Sequence, residues 1–596
     1  MKNTNCHETV ELAAGPLVMT FDPASAMLRY VRLGNIELVR GVFAAVRDQD
    51  WNTIPLSVHE LQINQAPDRF ELSFLAKCAQ SEIEFNWRGT VTGSAAGAVR
   101  FDFQGEAKST FLRNRIGLCV LHPIKECVGR ACTIEHKDGS TTVSMFPKWI
   151  SPHQPFKDVR SLTHEVAKEL YVKVTFDGEV FETEDQRNWT DASYKTYCTP
   201  LELPFPVEIK EGSHVDQSVT IELLGAASSM PGARSATSES VAEVDVVVDW
   251  DEARPMAPVG LSMSTSGQPS TDAAIQRLRE VRPSHLRVDV RLNRSDWVGD
   301  LRSAIDLASR LDTELEIASF IDDIDGEAWQ LCLIEVSKVS HSIARWLVFH
   351  SSAKSTPDAL AKAACASLKK LSSEFPVVVG TDAYFAELNR NRPSVPDGCL
   401  VSYSINPQVH AFDNLSLCET LEAQPWTVDS AKELFGVPVV ISPITLRPRF
   451  NPNATSVSGA HAIAEPETDA RQTSGFAAAW TAGVLAQLAS HPGLASLTFY
   501  ETFGPRGVMT ATGEAYPVAS VFDAIRDASS VAQTTSTSKM EISVIAMRRA
   551  NGERELLLAN LSRHPKTLCI SDKSGQRLRF ALDGESVRVA PWERRP

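Results

Sequence analysis

Hydrophobic and polar positions follow two different rhythms along the chain. From about Val10 to Leu224 the apolar residues recur at every second position. Ile83-Glu-Phe-Asn-Trp87 and Val99-Arg-Phe-Asp-Phe103 alternate strictly, while Leu17-Val-Met-Thr-Phe21, Leu28-Arg-Tyr-Val-Arg-Leu33 and Phe70-Glu-Leu-Ser-Phe-Leu75 alternate or run apolar. A period of two places apolar side chains on one face of a half-buried antiparallel sheet. Turn signals at Leu33-Gly-Asn35, Lys137-Asp-Gly-Ser140 and Asp177-Gly178 separate the strands. These features predict an N-terminal β-sandwich over residues 1–225. Beyond it, Ala226-Ala-Ser-Ser-Met-Pro-Gly-Ala-Arg-Ser-Ala-Thr-Ser-Glu-Ser240 is small, polar and broken by Pro and Gly, and 226–254 reads as a linker.

The second rhythm is strand–helix–strand–helix. Apolar strand candidates fall at 259–264, 286–290, 315–320, 346–349, 377–380, 400–404, 437–441 and 497–500. Helical patterns lie between them, at 272–281, 297–310, 326–341 and 357–371, where Thr356 stands as N-cap and Pro357 at the first helical position. The longest predicted helix is 470–490, and a last one, 518–528, follows the eighth strand. Eight strands alternating with helices over about 270 residues match a (β/α)8 TIM-type barrel, assigned to 255–530. A doubly wound sheet is the alternative, but the first strand lacks the G-x-G-x-x-G turn such folds often carry. After 529–539 short strands return at 542–548, 555–559, 566–570 and 587–590, predicting a small C-terminal β-sandwich over 531–596.

Length and composition narrow the function. At 596 residues the chain is multidomain, and 43% hydrophobic with 22% charged residues is the balance of a folded globular protein. A net charge of −15 argues against nucleic acid and anionic membranes as partners. The first residues, Met1-Lys-Asn-Thr-Asn-Cys-His-Glu, show no apolar signal region, and no run is apolar and long enough to span a bilayer. Eleven cysteines without C-x-x-C pairs read as reduced thiols, so the expected setting is the cytoplasm. G-x-S-x-G, H-x-H, H-E-x-x-H and phosphate-cradling glycine loops are missing, which disfavours a serine nucleophile, a local metal site and nucleotide use; no cofactor is expected.

Candidate chemistry gathers in two places. Phe181-Glu-Thr-Glu-Asp-Gln-Arg-Asn-Trp-Thr-Asp-Ala-Ser-Tyr-Lys-Thr-Tyr197 crowds carboxylates, amides, cations and aromatics into one run. Glu184, Asp185, Arg187, Asn188 and Trp189 suit a surface that fixes the hydroxyls of a polyol and covers its carbons. They equally suit a charged network joining two domains. In a barrel the site is built at the C-terminal ends of the strands. There the sequence offers Asp289 and Arg291 after strand two, His350 after strand four, and Asp382 and Glu387 after strand five. Asn406, Gln408, His410 and Asp413 follow strand six, Arg447 and Arg449 strand seven, and Glu501 strand eight. Each has a structural counterpart reading: helix capping for Asp382, stem packing for the arginines, a backbone-bonded core imidazole for His410.

The run 181–197, together with Tyr403-Ser-Ile-Asn-Pro-Gln-Val-His-Ala-Phe-Asp-Asn414, resembles the D-apionate lactonase family of bacterial apiose catabolism, and the likeness extends over almost the whole chain. The resemblance implies hydrolysis of a small-molecule sugar lactone, D-apionolactone, to its acid. Lactone hydrolysis needs a water activated by a base and donors aimed at the carbonyl oxygen. By position, Glu501 or Glu387 is the candidate base. His410 with Arg447 or Arg449 supplies the donors, and Asp382, Asn406, Gln408, Asp413 and the 181–197 run hold the substrate. The alternative is a barrel glycoside hydrolase acting on a small glycoside. The glutamates expected at the ends of strands four and seven are absent, so it would need the unusual pair Glu387 and Glu501.

Overall fold

The period-two alternation of the N-terminal part becomes seventeen strands joined in one hydrogen-bonded system, of which Val10–Ala14 is the first and His214–Gly225 the last. The computed structural model describes residues 9–225, 243–339, 342–453 and 468–593. They fall into two units: Met1–Arg187 with Ala192–Thr237 and Asn451–Ala462, and Asn188–Asp191 with Ser238–Phe450 and Ile463–Pro596.

In the first unit the alternation works as the sequence implies. Along Arg69–Gln80 the residues Phe70, Leu72, Phe74, Ala76 and Cys78 are buried, with more exposed residues between them. Phe74 meets Trp87 edge-on at 5.1 Å, and Trp87 lies 5.0 Å from Phe103. Two of the described imidazoles of this unit are buried. His122 Nε2 bonds Thr196 Oγ1 at 2.9 Å, and His164 Nε2 lies 3.4 Å from Cys127 Sγ.

The second unit holds a closed parallel barrel. Its strands are β1 (Val259–Ser262), β2 (His285–Arg291), β3 (Glu314–Ile321), β4 (Ile343–His350), β5 (Val377–Tyr384), β6 (Leu400–Ile405), β7 (Val439–Ile444) and β8 (Leu494–Phe503). Each pairs with the next, and β8 closes on β1 through Val259↔Leu497, Gly260↔Thr498 and Leu261↔Phe499. Helices α1 (Asp272–Val281), α2 (Trp297–Leu311), α3 (Glu327–Ser337), α4 (Asp358–Leu371), α5 (Phe385–Arg390), α6 (Asn414–Phe435), α7 (Gly475–Leu488) and α8 (Ala519–Ile525) alternate with them. Among the described helices α6 is the longest, although Pro425 lies inside it. The expected 470–490 helix is instead a 3-10 turn, Ala470–Thr473, followed by α7. No described helix is long and apolar enough to cross a membrane.

The C-terminal region departs from expectation. Instead of a sandwich confined to 531–596, one seven-stranded sheet runs in the order Arg577–Leu582, Lys566–Asp572, Glu243–Pro255, Ala528–Ser536, Ile542–Arg549, Arg554–Asn560, Ser586–Pro591. Its third strand comes from the stretch assigned to the linker, of which 226–242 lies outside the described residues. Glu243–Pro255 pairs parallel with Lys566–Asp572 and antiparallel with Ala528–Ser536. Val244, Val246, Val248 and Trp250 carry its period-two signal, all buried. Helix α7 packs on Ile542–Arg549, Arg554–Asn560 and Ser586–Pro591 on one side and on α6 on the other. A helix enclosed in this way is apolar nearly all round.

Burial pushes three imidazoles well below their ordinary value. His122 falls to about 3, with the neighbouring His164 adding to the effect, and His164 to about 4, with Arg130 adding. In the barrel His285 falls to about 3, where burial and Arg345 outweigh Glu316. Because the folded values are depressed, their contribution to stability is complete above the unfolded value near 6.5 and is lost as pH falls toward them. The thermal midpoint should therefore drop between pH 7 and pH 5, each imidazole contributing about 2 kcal/mol at pH 5. Scanning calorimetry at both values checks this. His285→Gln should show a shallower pH dependence than the parent.

Candidate active site

Strand β2 sets the site's foundation. In His285-Leu-Arg-Val-Asp-Val-Arg291 every second residue is charged or polar, and the residues between, Leu286, Val288 and Val290, are buried. Alternation sends the apolar set to the helix side and His285, Arg287, Asp289 and Arg291 inward. Strand β3 adds Glu316 and β4 Arg345, both buried. Glu316 accepts from Ser442 on β7, from Thr498 on β8 at 2.9 Å and from Arg345 at 2.7 Å, with His285 Nε2 at 3.4 Å. Burial alone would raise the Glu316 carboxyl; His285, Arg345, Arg287 and the Ser442 hydroxyl together hold it at about 2 instead.

This network continues upward. Arg287 donates to Ser442 at 3.0 Å, to Asp289 at 2.8 Å and to Asp382 Oδ1 at 2.6 Å. Arg449, from the loop after β7, reaches the same Asp382 oxygen at 2.5 Å and Asp289 at 3.4 Å. Arg291 lies over the Phe320 ring at 3.8 Å, with Asp289 at 3.6 Å and Asp382 Oδ2 at 3.9 Å. Three guanidiniums against two carboxylates leave one positive charge in excess.

Tyr384, two residues beyond Asp382, links this cluster to the β6 loop. It hydrogen-bonds Asn406 and feels the charges of Glu387 and Arg449, while burial raises its phenol above the ordinary range. Its ring packs with Trp189 and Ala386. Trp189 also faces His410 edge-on at 5.2 Å and carries Arg390 at 4.8 Å over its ring. His410 Nδ1 lies 2.6 Å from Asp191 Oδ2, and both side chains are partly exposed. An ionised carboxylate at that distance accepts a hydrogen bond from Nδ1–H. Asn188 accepts from Asn389 at 3.0 Å, and Thr190 bonds the Asn406 carbonyl.

The β6 loop is held from below by Asp469 and Arg471. Gln408 donates to Asp469 and to the Leu446 carbonyl, both at 2.6 Å, and accepts from Arg471 at 2.9 Å. Arg471 also donates to the Phe412 carbonyl and to Asn414 Oδ1. Arg447 Nε stands 3.5 Å from Asp469, and its guanidinium lies 5.5 Å from the Phe412 ring. Burial opposes ionisation of Asp469, but bonds from Arg471 and Gln408 bring it down to about 2.

Several candidates have structural work. Run 181–197 folds as a hairpin, Phe181–Asp185 against Ser193–Tyr197, with a 3-10 turn at Gln186–Trp189. Glu184 stands opposite Lys195 in the register and pairs with it at 2.5 Å. Asp185 and Arg187 form a fully buried ion pair at 2.7 Å. Arg187 also donates to the Pro147 and Lys148 carbonyls and lies 4.8 Å from the Tyr194 ring. These three are buried in the first unit, and of the run only Asn188–Asp191 belong to the barrel unit. Glu501 accepts from Thr265 Oγ1 at 2.7 Å, the Thr265 amide at 3.1 Å and Arg506 at 2.9 Å, so both its oxygens are occupied. Asp413 is the N-cap of α6, accepting from the Ser416 amide at 3.0 Å and hydroxyl at 2.8 Å. Glu387 is buried in α5, with Lys354 and Asn391 each 3.5 Å from Oε2 and no hydrogen bond on Oε1. Among the described residues no group of three His, Cys, Asp or Glu could hold a metal.

Arg287, Glu316, Arg345, Asp469 and Arg471 have no individual reading in the sequence, and Asp191 enters it only as part of the run 181–197. A signal existed for two of them. Glu316 interrupts an otherwise apolar strand, and Arg287 continues the alternation that ends in Asp289 and Arg291.

Comparison with known proteins matches residues 1–226 to the family described as D-apionate lactonase, N-terminal domain, and residues 259–530 to D-apionate lactonase, TIM barrel domain. A D-apionate lactonase from Brucella anthropi is 28% identical, covering 96% of this chain and 95% of that protein. Solved structures include a GH30 endoxylanase from Clostridium papyrosolvens, 11% identical with a TM-score of 0.39 over 58% of this chain and 98% of that one. A GH51 arabinofuranosidase from Xanthomonas axonopodis pv. citri is 10% identical, with a TM-score of 0.41 over 59% and 97%.

Since Asp413 caps α6, Asp413→Ala should lower unfolding stability by about 1 kcal/mol. Urea denaturation checks this. A substrate-binding role would instead show as a raised KM at unchanged stability.

Proposed function

The chain belongs to the D-apionate lactonase family, and from that membership we propose that it hydrolyses D-apionolactone to D-apionate at the mouth of the barrel, with His410 as general base. The observation that carries this reading is the 2.6 Å contact between His410 Nδ1 and Asp191 on the edge of Trp189. A carboxylate on Nδ1 leaves Nε2 as the proton acceptor and stabilises the imidazolium formed when water is deprotonated. Among the carboxylates, Glu501 is a poorer base because three donors already occupy its oxygens.

His410 Nε2 takes a proton from water while the water oxygen attacks the lactone carbonyl carbon. The carbonyl oxygen becomes an oxyanion, for which we assign Arg447 as partner, because Arg447 and the His410 loop converge on Asp469. Collapse of the tetrahedral species breaks the ring carbon–oxygen bond. The imidazolium returns its proton to the departing alkoxide, and the new carboxylic acid releases one proton to solvent. Trp189 and Tyr384 supply an apolar wall for the ring carbons, and Asn406 a polar group for hydroxyls. The same reading places the enzyme in the cytoplasm, where its described cysteines, all free thiols, would stay reduced.

His410→Ala should lower kcat on D-apionolactone about a hundredfold or more, the usual range for losing a general base. Asp191→Asn should lower kcat with little change in KM. Stopped-flow acidification with a pH indicator measures both. Retention of activity in His410→Ala, with loss in Glu387→Gln, would move the base to Glu387.

A further inference from the structure

We infer that Arg291 and the Oδ2 oxygen of Asp382 form a subsite that reads two neighbouring hydroxyl groups of the lactone, an inference that rests on the lactonase reading. Among the described residues neither that oxygen nor the Arg291 guanidinium has a hydrogen-bond partner. Asp382 is buried, and its Oδ1 is filled by Arg287 at 2.6 Å and Arg449 at 2.5 Å. Among the described residues its Oδ2 accepts no hydrogen bond. A buried carboxylate oxygen left in that state is costly, so native structures rarely keep one without a purpose.

Above that oxygen lies Arg291. Its nearest carboxylate atoms, Asp289 Oδ2 at 3.6 Å and Asp382 Oδ2 at 3.9 Å, are beyond hydrogen-bonding reach, and among the described residues its guanidinium makes no hydrogen bond. The side chain is 37% exposed and held chiefly by stacking on Phe320 at 3.8 Å. Stacking of that kind lets a guanidinium slide in its own plane, whereas Arg287 and Arg449 are pinned by directional bonds. A small shift of Arg291 along the Phe320 face uncovers Oδ2.

The pair then offers a planar set of donors beside a single strong acceptor, aligned by strands β2 and β5. Each hydroxyl of a diol both donates and accepts. One hydroxyl donates a hydrogen bond to Oδ2, and the guanidinium donates to the oxygens of both. A bare hydrocarbon ring edge would leave the charged groups unsatisfied. Sites of this design reject analogues that lack the hydroxyl far more strongly than apolar pockets reject an extra one. The excess positive charge of the cluster favours electron-rich oxygens over a cationic ligand.

The test compares kcat/KM for a 2,3-dihydroxy-γ-butyrolactone and for unsubstituted γ-butyrolactone, in the parent enzyme, Arg291→Leu and Arg291→Lys. The parent should prefer the diol by about a hundredfold or more, and Arg291→Leu should cut that ratio to below about tenfold. Arg291→Lys keeps the charge but not the planar fork, and should give an intermediate ratio; it serves alone if the leucine variant does not fold. Equal losses on both lactones, or a parent that does not discriminate, would overturn the subsite while leaving lactone hydrolysis standing. No turnover of any lactone by the parent, D-apionolactone included, would overturn the lactonase reading and the subsite together.

Discussion

Glu316 places an ionised carboxylate in the middle of a barrel whose interior is ordinarily packed with branched apolar side chains. That charge is tolerable only because Arg345 and the hydroxyls of Ser442 and Thr498 surround it, and because Ser442 passes the polarity on to Arg287. Arg287 must in turn be neutralised, which draws Asp289 and Asp382 to it. Asp382 then fixes Arg449 at the end of β7. Strands β2, β3, β4, β5, β7 and β8 are tied together by this chain of ionic hydrogen bonds, so the position of the uppermost groups follows from a demand made at the barrel's centre. Removing one member strands the charge of its neighbour, the costly way to break such a network.

The same demand shapes the first unit. A hairpin with so many charges can be buried only if each meets its opposite, and the register does this. Glu184 stands across from Lys195, while Asp185 and Arg187 close on each other beside Tyr194. The turn between the two strands then presents Asn188, Trp189, Thr190 and Asp191, which belong with the barrel residues Asn389, Tyr384, Asn406 and His410. What makes the run unusual as a sequence is that one half of its polarity satisfies itself and the other half completes the barrel unit.

The barrel was legible from apolar strands spaced by amphipathic helices, because each strand buries its own apolar residues and needs no distant partner to reveal it. The strand Glu243–Pro255 was not, since a polar, Pro- and Gly-rich stretch precedes it and its partners, Lys566–Asp572 and Ala528–Ser536, lie hundreds of residues away in sequence. Among site candidates, position after a strand put His410, Asp382 and Arg449 beside a helix cap, Asp413, and a clamped carboxylate, Glu501, without telling these surroundings apart. Those distinctions depend on which donor lies within about 3 Å, and no spacing in the sequence encodes it. Asp191 shows the converse. Its importance comes from His410, more than two hundred residues on.

Lactone opening is the reaction on which every proposed residue role depends. The most direct measurement is the rate of proton release, at constant near-neutral pH, when the purified protein meets D-apionolactone, run beside simple aldonolactones and a panel of aryl glycosides. D-apionolactone hydrolysis predicts rapid acidification that is selective for this lactone, with one proton released per lactone opened. Cleavage of an aryl glycoside with no acid released from any lactone would contradict it.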